Sequence, residues 1–110
     1  MQEVKITDFV AREHASLVVT SAVAVALPAS KIHPTVEPFK DQPCRKIVVT
    51  LDPDSDSVRI TYSHDTTPTN TLGDILTGGD IFVSESGLEI QNFKAIALTG
   101  NVTLRITYKF

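Results

Sequence analysis

At 110 residues the chain has the size of one ordinary domain, and 42% hydrophobic against 21% charged residues is too apolar for intrinsic disorder. A formal charge of -3 without any cluster of Lys or Arg argues against nucleic-acid binding, and no apolar run is long enough to span a membrane. Cys44 is the one cysteine, so no intramolecular disulfide forms and synthesis in a cytosol fits.

Residues 1–14 carry Glu3, Asp8 and Glu13 against Lys5 and Arg12, the wrong balance for the start of a signal peptide. They are expected to form an arm whose Val4, Ile6 and Phe9 are available to dock on another chain or extend its sheet. The apolar stretch 15–29 is short and interrupted by Thr20, Ser21 and Pro28; with Val19, Val23, Val25 and Leu27 all at odd positions, on one face of an alternating pattern, it reads as a strand.

The segment 28–43 holds four of the six prolines, which rules out a central strand and predicts a surface excursion. Its Ile32, His33, Val36 and Phe39 are candidate partner contacts. Ile47, Val49 and Leu51 alternate with other residues, as do Val58, Ile60 and Tyr62, so two strands flank the turn 52–57. The segment 64–79, rich in Thr, Asp, Asn and Gly, is expected to be a loop with at most one helical turn around 72–76, where Leu72 and Ile75 are further contact candidates.

Short strands are predicted at 81–84, 88–91 and 94–99, with Ser86-Gly87 and Gly100-Asn101 as tight hairpin connections. The clearest pattern comes last: Val102, Leu104, Ile106, Tyr108 and Phe110 alternate strictly with Thr103, Arg105, Thr107 and Lys109. Strands at short spacing without an amphipathic helix predict an all-β chain, a single antiparallel β-sandwich or small jelly-roll-like barrel with long loops. It would comprise an arm, 1–14, and a sandwich domain, 15–110.

The chemically suggestive residues all have plainer readings. Asp52, Asp54 and Asp56 open like a calcium loop, but its sixth position is Ser57 instead of Gly and its twelfth Ser63 instead of Glu. His14, His33 and His64 stand at no ligand spacing, and His64-Asp65 has no nucleophile motif beside it. Cys44 opens a strand, where cysteine is commonly a small buried hydrophobe, and Gly78-Gly79 leads into a strand instead of a phosphate-binding helix. Neither catalysis nor a metal or cofactor site is expected.

Pro43-Cys44-Arg45-Lys46-Ile47-Val48-Val49-Thr50-Leu51-Asp52-Pro53 with Val58-Arg59-Ile60, then Gly78-Gly79-Asp80-Ile81-Phe82-Val83, and finally 93–108, together resemble the small β-sandwich virion structural proteins of tailed bacteriophages. The resemblance covers residues 15–110 in pattern and implies a protein made in the host cytoplasm and carried in the virion. A head decoration or cement protein is the expected role. Its partners would be the major capsid protein or other virion proteins, and copies of itself, with a trimer at a capsid three-fold as one form. A tail, neck or host-contact component is the alternative within the virion. A carbohydrate-binding sandwich is the alternative outside it, disfavoured because Trp is absent and Tyr62 and Tyr108 fall on apolar strand faces.

Overall fold

The computed structural model describes residues 12–110. Eight strands form two four-stranded antiparallel sheets: β1 (Arg12–Thr20), β2 (Val25–Ala26), β3 (Lys46–Thr50), β4 (Val58–Thr61), β5 (Asp74–Leu76), β6 (Ile81–Ser84), β7 (Lys94–Ala97) and β8 (Asn101–Lys109). One sheet has the order β1-β8-β3-β6, the other β2-β7-β4-β5. The chain is the all-β antiparallel sandwich that its patterning predicts.

The pairs are nested, first strand with last: β1 with β8, β2 with β7, β3 with β6, β4 with β5. Cross-pairs β3·β8 and β4·β7 join them into sheets. This is a jelly-roll connectivity. Its consequence is that nearly every connection crosses between sheets, and β4·β5 is the one pair of consecutive strands within a sheet. The expected hairpin at Gly100-Asn101 is therefore corrected: β7 and β8 lie in different sheets, and Gly100, at φ +59, turns the chain across the sandwich. The 52–57 turn also crosses, from β3 to β4.

Four further expectations are revised. The stretch 15–29, read as one strand, divides at the bend 21–23, with β1 ending at Thr20 and β2 placed in the other sheet. The segment 88–91 is helical, as α2 (Gly87–Asn92), because Ser86 caps it by accepting a hydrogen bond from the Glu89 amide. The Ser86-to-Glu89 spacing matches a capping box, although the Glu89 carboxylate accepts from the Ser84 hydroxyl at 2.8 Å instead of reaching the cap amide. Residues 74–76, read as at most a helical turn, form β5 against β4. Gly73 makes this approach possible: at φ +121, a Cβ there would lie 2.7 Å from the Ile60 carbonyl oxygen. Finally, β1 starts at Arg12, so His14 belongs to the sandwich and not to an arm.

The core follows from alternation. In β8, Val102, Leu104, Ile106 and Tyr108 point inward, and their partners Ala15, Leu17 and Val19 in β1 and Ile47 and Val49 in β3 share that face. Val58, Ile60, Ala95 and Ala97 line the other sheet, and Phe93 closes the space between them. The connections 21–24, 51–57, 77–80 and 98–100 meet at one end, tied by Ser21 N–H to Gly100 C=O and Leu98 N–H to Ser57 C=O, both 3.1 Å. The longer connections gather at the opposite end, and neither of the two predicted loops floats free there.

The excursion 27–45 contains a helical turn, α1 (Ala29–Ile32), and closes at its base through Cys44 N–H to Ile32 C=O at 2.9 Å. Phe39 stacks on Phe110 with ring centroids 4.5 Å apart, and Ile32, Pro34 and Cys44 are buried beneath. The loop 63–73 lies over the outer face of β4: Arg59 donates to the Asn70 and Gly73 carbonyls, Thr61 to that of Thr66. Pro68 is fully buried, and outward-facing Ile96, beside Arg59, is covered as well.

Ile106→Asp would place an unpaired carboxylate in the core, a cost of several kcal/mol set against an ordinary domain stability of about 5–15 kcal/mol. Thr107→Asp, on the solvent face, should be much milder. Thermal melts of the two variants should show Ile106→Asp unfolded or strongly weakened; equal tolerance would contradict the facing of β8.

Candidate interaction edge

Cys44 and the histidines show what the interior and the surface do not offer. The Cys44 thiol is buried and donates to the Lys46 carbonyl at 3.2 Å, and burial pushes its pKa up, so it stays protonated and a poor nucleophile. His64 and Asp65 face each other at 3.0 Å in open solvent. His33 reaches only Gln91, at 3.3 Å, and among the described residues no three His, Cys, Asp or Glu side chains converge as a metal requires. Asp52 faces Arg105 at 3.5 Å. No described helix is long and apolar enough to cross a membrane.

A shallow groove of about 410 Å³ on the outer face of the β1-β8-β3-β6 sheet is lined by His14, Ser16, Thr50, Arg105 and Thr107. These groups satisfy one another. His14 Nδ1 lies 3.0 Å from Thr107 Oγ1, Arg105 donates to Ser16 Oγ at 3.2 Å, and Thr50 donates to the Arg105 carbonyl at 3.4 Å.

Exposed apolar side chains gather on the side where β5 and β6, the edge strands of the two sheets, are joined by the short connection 77–80, while Val18 and Val23 on the β1 side and Val36 on the excursion are exposed as well. Leu72, Ile75, Ile81, Val83 and Leu88 belong to this side or the segments flanking it, each between 48% and 66% exposed. The cause is register. Val83 pairs with Val48 and Ile81 with Thr50, residues on the outer face of β3, so both side chains face solvent while Phe82 between them turns inward against Tyr62 and Phe93. Ile75 likewise pairs with outward-facing Arg59.

Of the contact residues expected from sequence, Leu72 and Ile75 fall on this side. His33 and Val36 are exposed on the excursion at the loop end. Ile32 and Phe39 are corrected: Ile32 is buried in the core, and Phe39 is committed to the Phe110 ring. Val4, Ile6 and Phe9 lie outside the described residues. Ile81, Val83 and Leu88 were missed, although three successive apolar residues in an antiparallel strand must send at least one to the outer face.

Comparison of the chain with protein-family models, with curated proteins and with solved structures found no match.

Two tyrosines make stability depend on pH. Burial, followed by the nearby Cys44 and Glu13, pushes the Tyr108 hydroxyl above the ordinary tyrosine range; at Tyr62 the hydrogen bond to Asp74, 2.7 Å long, acts in the same direction. Both shifts are upward, so this contribution is intact below about pH 10, where unfolded tyrosine ionises, and is lost as pH rises beyond it. Thermal melts from pH 8 to 11 should show an alkaline fall that Tyr108→Phe reduces more than Tyr62→Phe, since Tyr108 is buried and Tyr62 only partly so. An alkaline slope unchanged in Tyr108→Phe would show that another group controls it.

Proposed function

We propose that this protein is a structural component of a tailed-phage particle, a decoration or cement protein that binds the outer surface of the assembled head. The observation that carries the reading is the aliphatic β5–β6 side, where Ile75 on one sheet and Ile81 and Val83 on the other stay exposed although the core is closed without them. Exposed apolar surface of this kind marks interaction sites. The jelly-roll connectivity adds a fold-level analogy, since viral capsid domains use it, although the same fold serves lectins. Sugar recognition by ring stacking is less favoured, because no described aromatic side chain is exposed.

The mechanism is interface burial. Each copy contacts neighbouring capsid subunits, and binding the assembled shell in preference to its dissociated parts stabilises it by mass action. A standard interface buries about 800 Å² per partner, within reach of a domain of this size.

Heads of the encoding phage, prepared without this protein, should co-sediment with the purified chain and gain heat resistance. Ile75→Lys combined with Leu88→Lys should weaken that binding by about tenfold or more at unchanged thermal stability. Absence of binding to heads, or antibody labelling confined to tails, would overturn the head assignment.

A further inference from the structure

Strand β6 ends its sheet: among the described residues it pairs only with β3. Natural edge strands are commonly blunted by an outward Lys, a Pro or a bulge; here the bulge, in which Gly79 N–H donates to Leu51 C=O and Leu51 N–H to Asp80 C=O, comes just before the strand, and β6 itself reads Ile-Phe-Val-Ser. The bond from Leu51 N–H to Asp80 C=O, 3.3 Å, sets the alternation of the ladder. Asp80, Phe82 and Ser84 turn their main-chain groups to β3, which leaves the N–H and C=O of Ile81 and Val83 directed at the free edge. Main-chain donors, acceptors and exposed aliphatic side chains therefore coincide at the same two residues.

We infer that β6 pairs antiparallel with β6 of a second copy about a two-fold axis, with Phe82 opposite Phe82 and Ile81 opposite Val83. In this register the edge groups match as four inter-chain hydrogen bonds. The outward Ile81 and Val83 of both copies form one aliphatic cluster, while Phe82, already against Tyr62 and Phe93, meets its counterpart on the inner side. Charges agree with it: Asp80 falls opposite Ser84, and Glu85, paired with Lys46 at 3.1 Å, lies beyond the end of the ladder with no acidic residue directly across from it. The neighbouring registers fit worse. Placing Ile81 opposite itself sets Val83 against Gly79, and placing Val83 opposite itself sets Ile81 against the Glu85 carboxylate. The arrangement is self-complementary, so it closes as a dimer and not as a trimer, and it joins two four-stranded sheets into one of eight strands.

The inference concerns the isolated chain and does not rest on the virion reading. Sedimentation of the full chain over a concentration series should show a reversible monomer–dimer equilibrium. Val83→Lys should raise its dissociation constant by about tenfold or more while the melting temperature, read at a dilution where the parent is monomeric, is unchanged. Register is tested by crosslinking, because directly opposed residues have Cα atoms about 5.5 Å apart, inside the disulfide range. An equal mixture of Ile81→Cys and Val83→Cys should give a disulfide-linked heterodimer under mild oxidation, and either variant alone far less. A parent chain that stays monomeric, a trimer, a dimer indifferent to Val83→Lys, or single variants that crosslink as well as the mixture would each overturn the inference.

Discussion

The structure depends on β8. It is hydrogen-bonded on both sides, to β1 and β3, and it contributes Val102, Leu104, Ile106 and Tyr108 to a core that both sheets share. A strand in this position must satisfy two ladders and one buried face together, and strict alternation is the one pattern that does so. A one-residue slip would send every apolar side chain to solvent and draw Arg105 and Lys109 inside. The register of β1 and β3, and through β3 that of β6, is inherited from it.

That inheritance explains the outer surface. With β3 fixed by β8, β6 has no freedom to choose its face, and Phe82 is the residue that reaches the core. Ile81 and Val83 are exposed as the geometric remainder. The loop end shows the opposite outcome: the excursion 27–45 and the loop 63–73 are long, yet both fold back, burying Ile32 and Pro68 and covering part of Phe39. Length alone did not make them available to a partner.

The period-two strands were legible because their signal is local: β8, β3 and β4 lie where the alternation places them. Connectivity was not, since a turn residue such as Gly100 signals reversal without indicating which sheet receives the next strand. The helix α2 was legible in principle, from Ser86 and Glu89 at capping spacing, but four apolar and polar residues fit strand and helix alike. Strand β5 exists through its pairing with β4, and three residues carry no periodicity of their own. For the candidate site, Leu72 and Ile75 stood out in a polar loop, whereas the fates of Ile32 and Phe39 depended on where a proline-rich segment comes to rest, which no local rule supplies.

The nested pairing also orders assembly in time. Closing a loop costs more entropy as the intervening chain lengthens, so β4·β5, joined by a dozen residues, is the cheapest pair to form and β1·β8 the dearest. The fold is then a zipper that starts at its middle and finishes at its two ends. During synthesis the residues of β1 emerge first and wait for a partner that emerges last, and β3 waits with them for its second neighbour. A chain so arranged completes its core only when its final strand arrives, and its folding is slow for its size because its decisive contacts are its most distant ones.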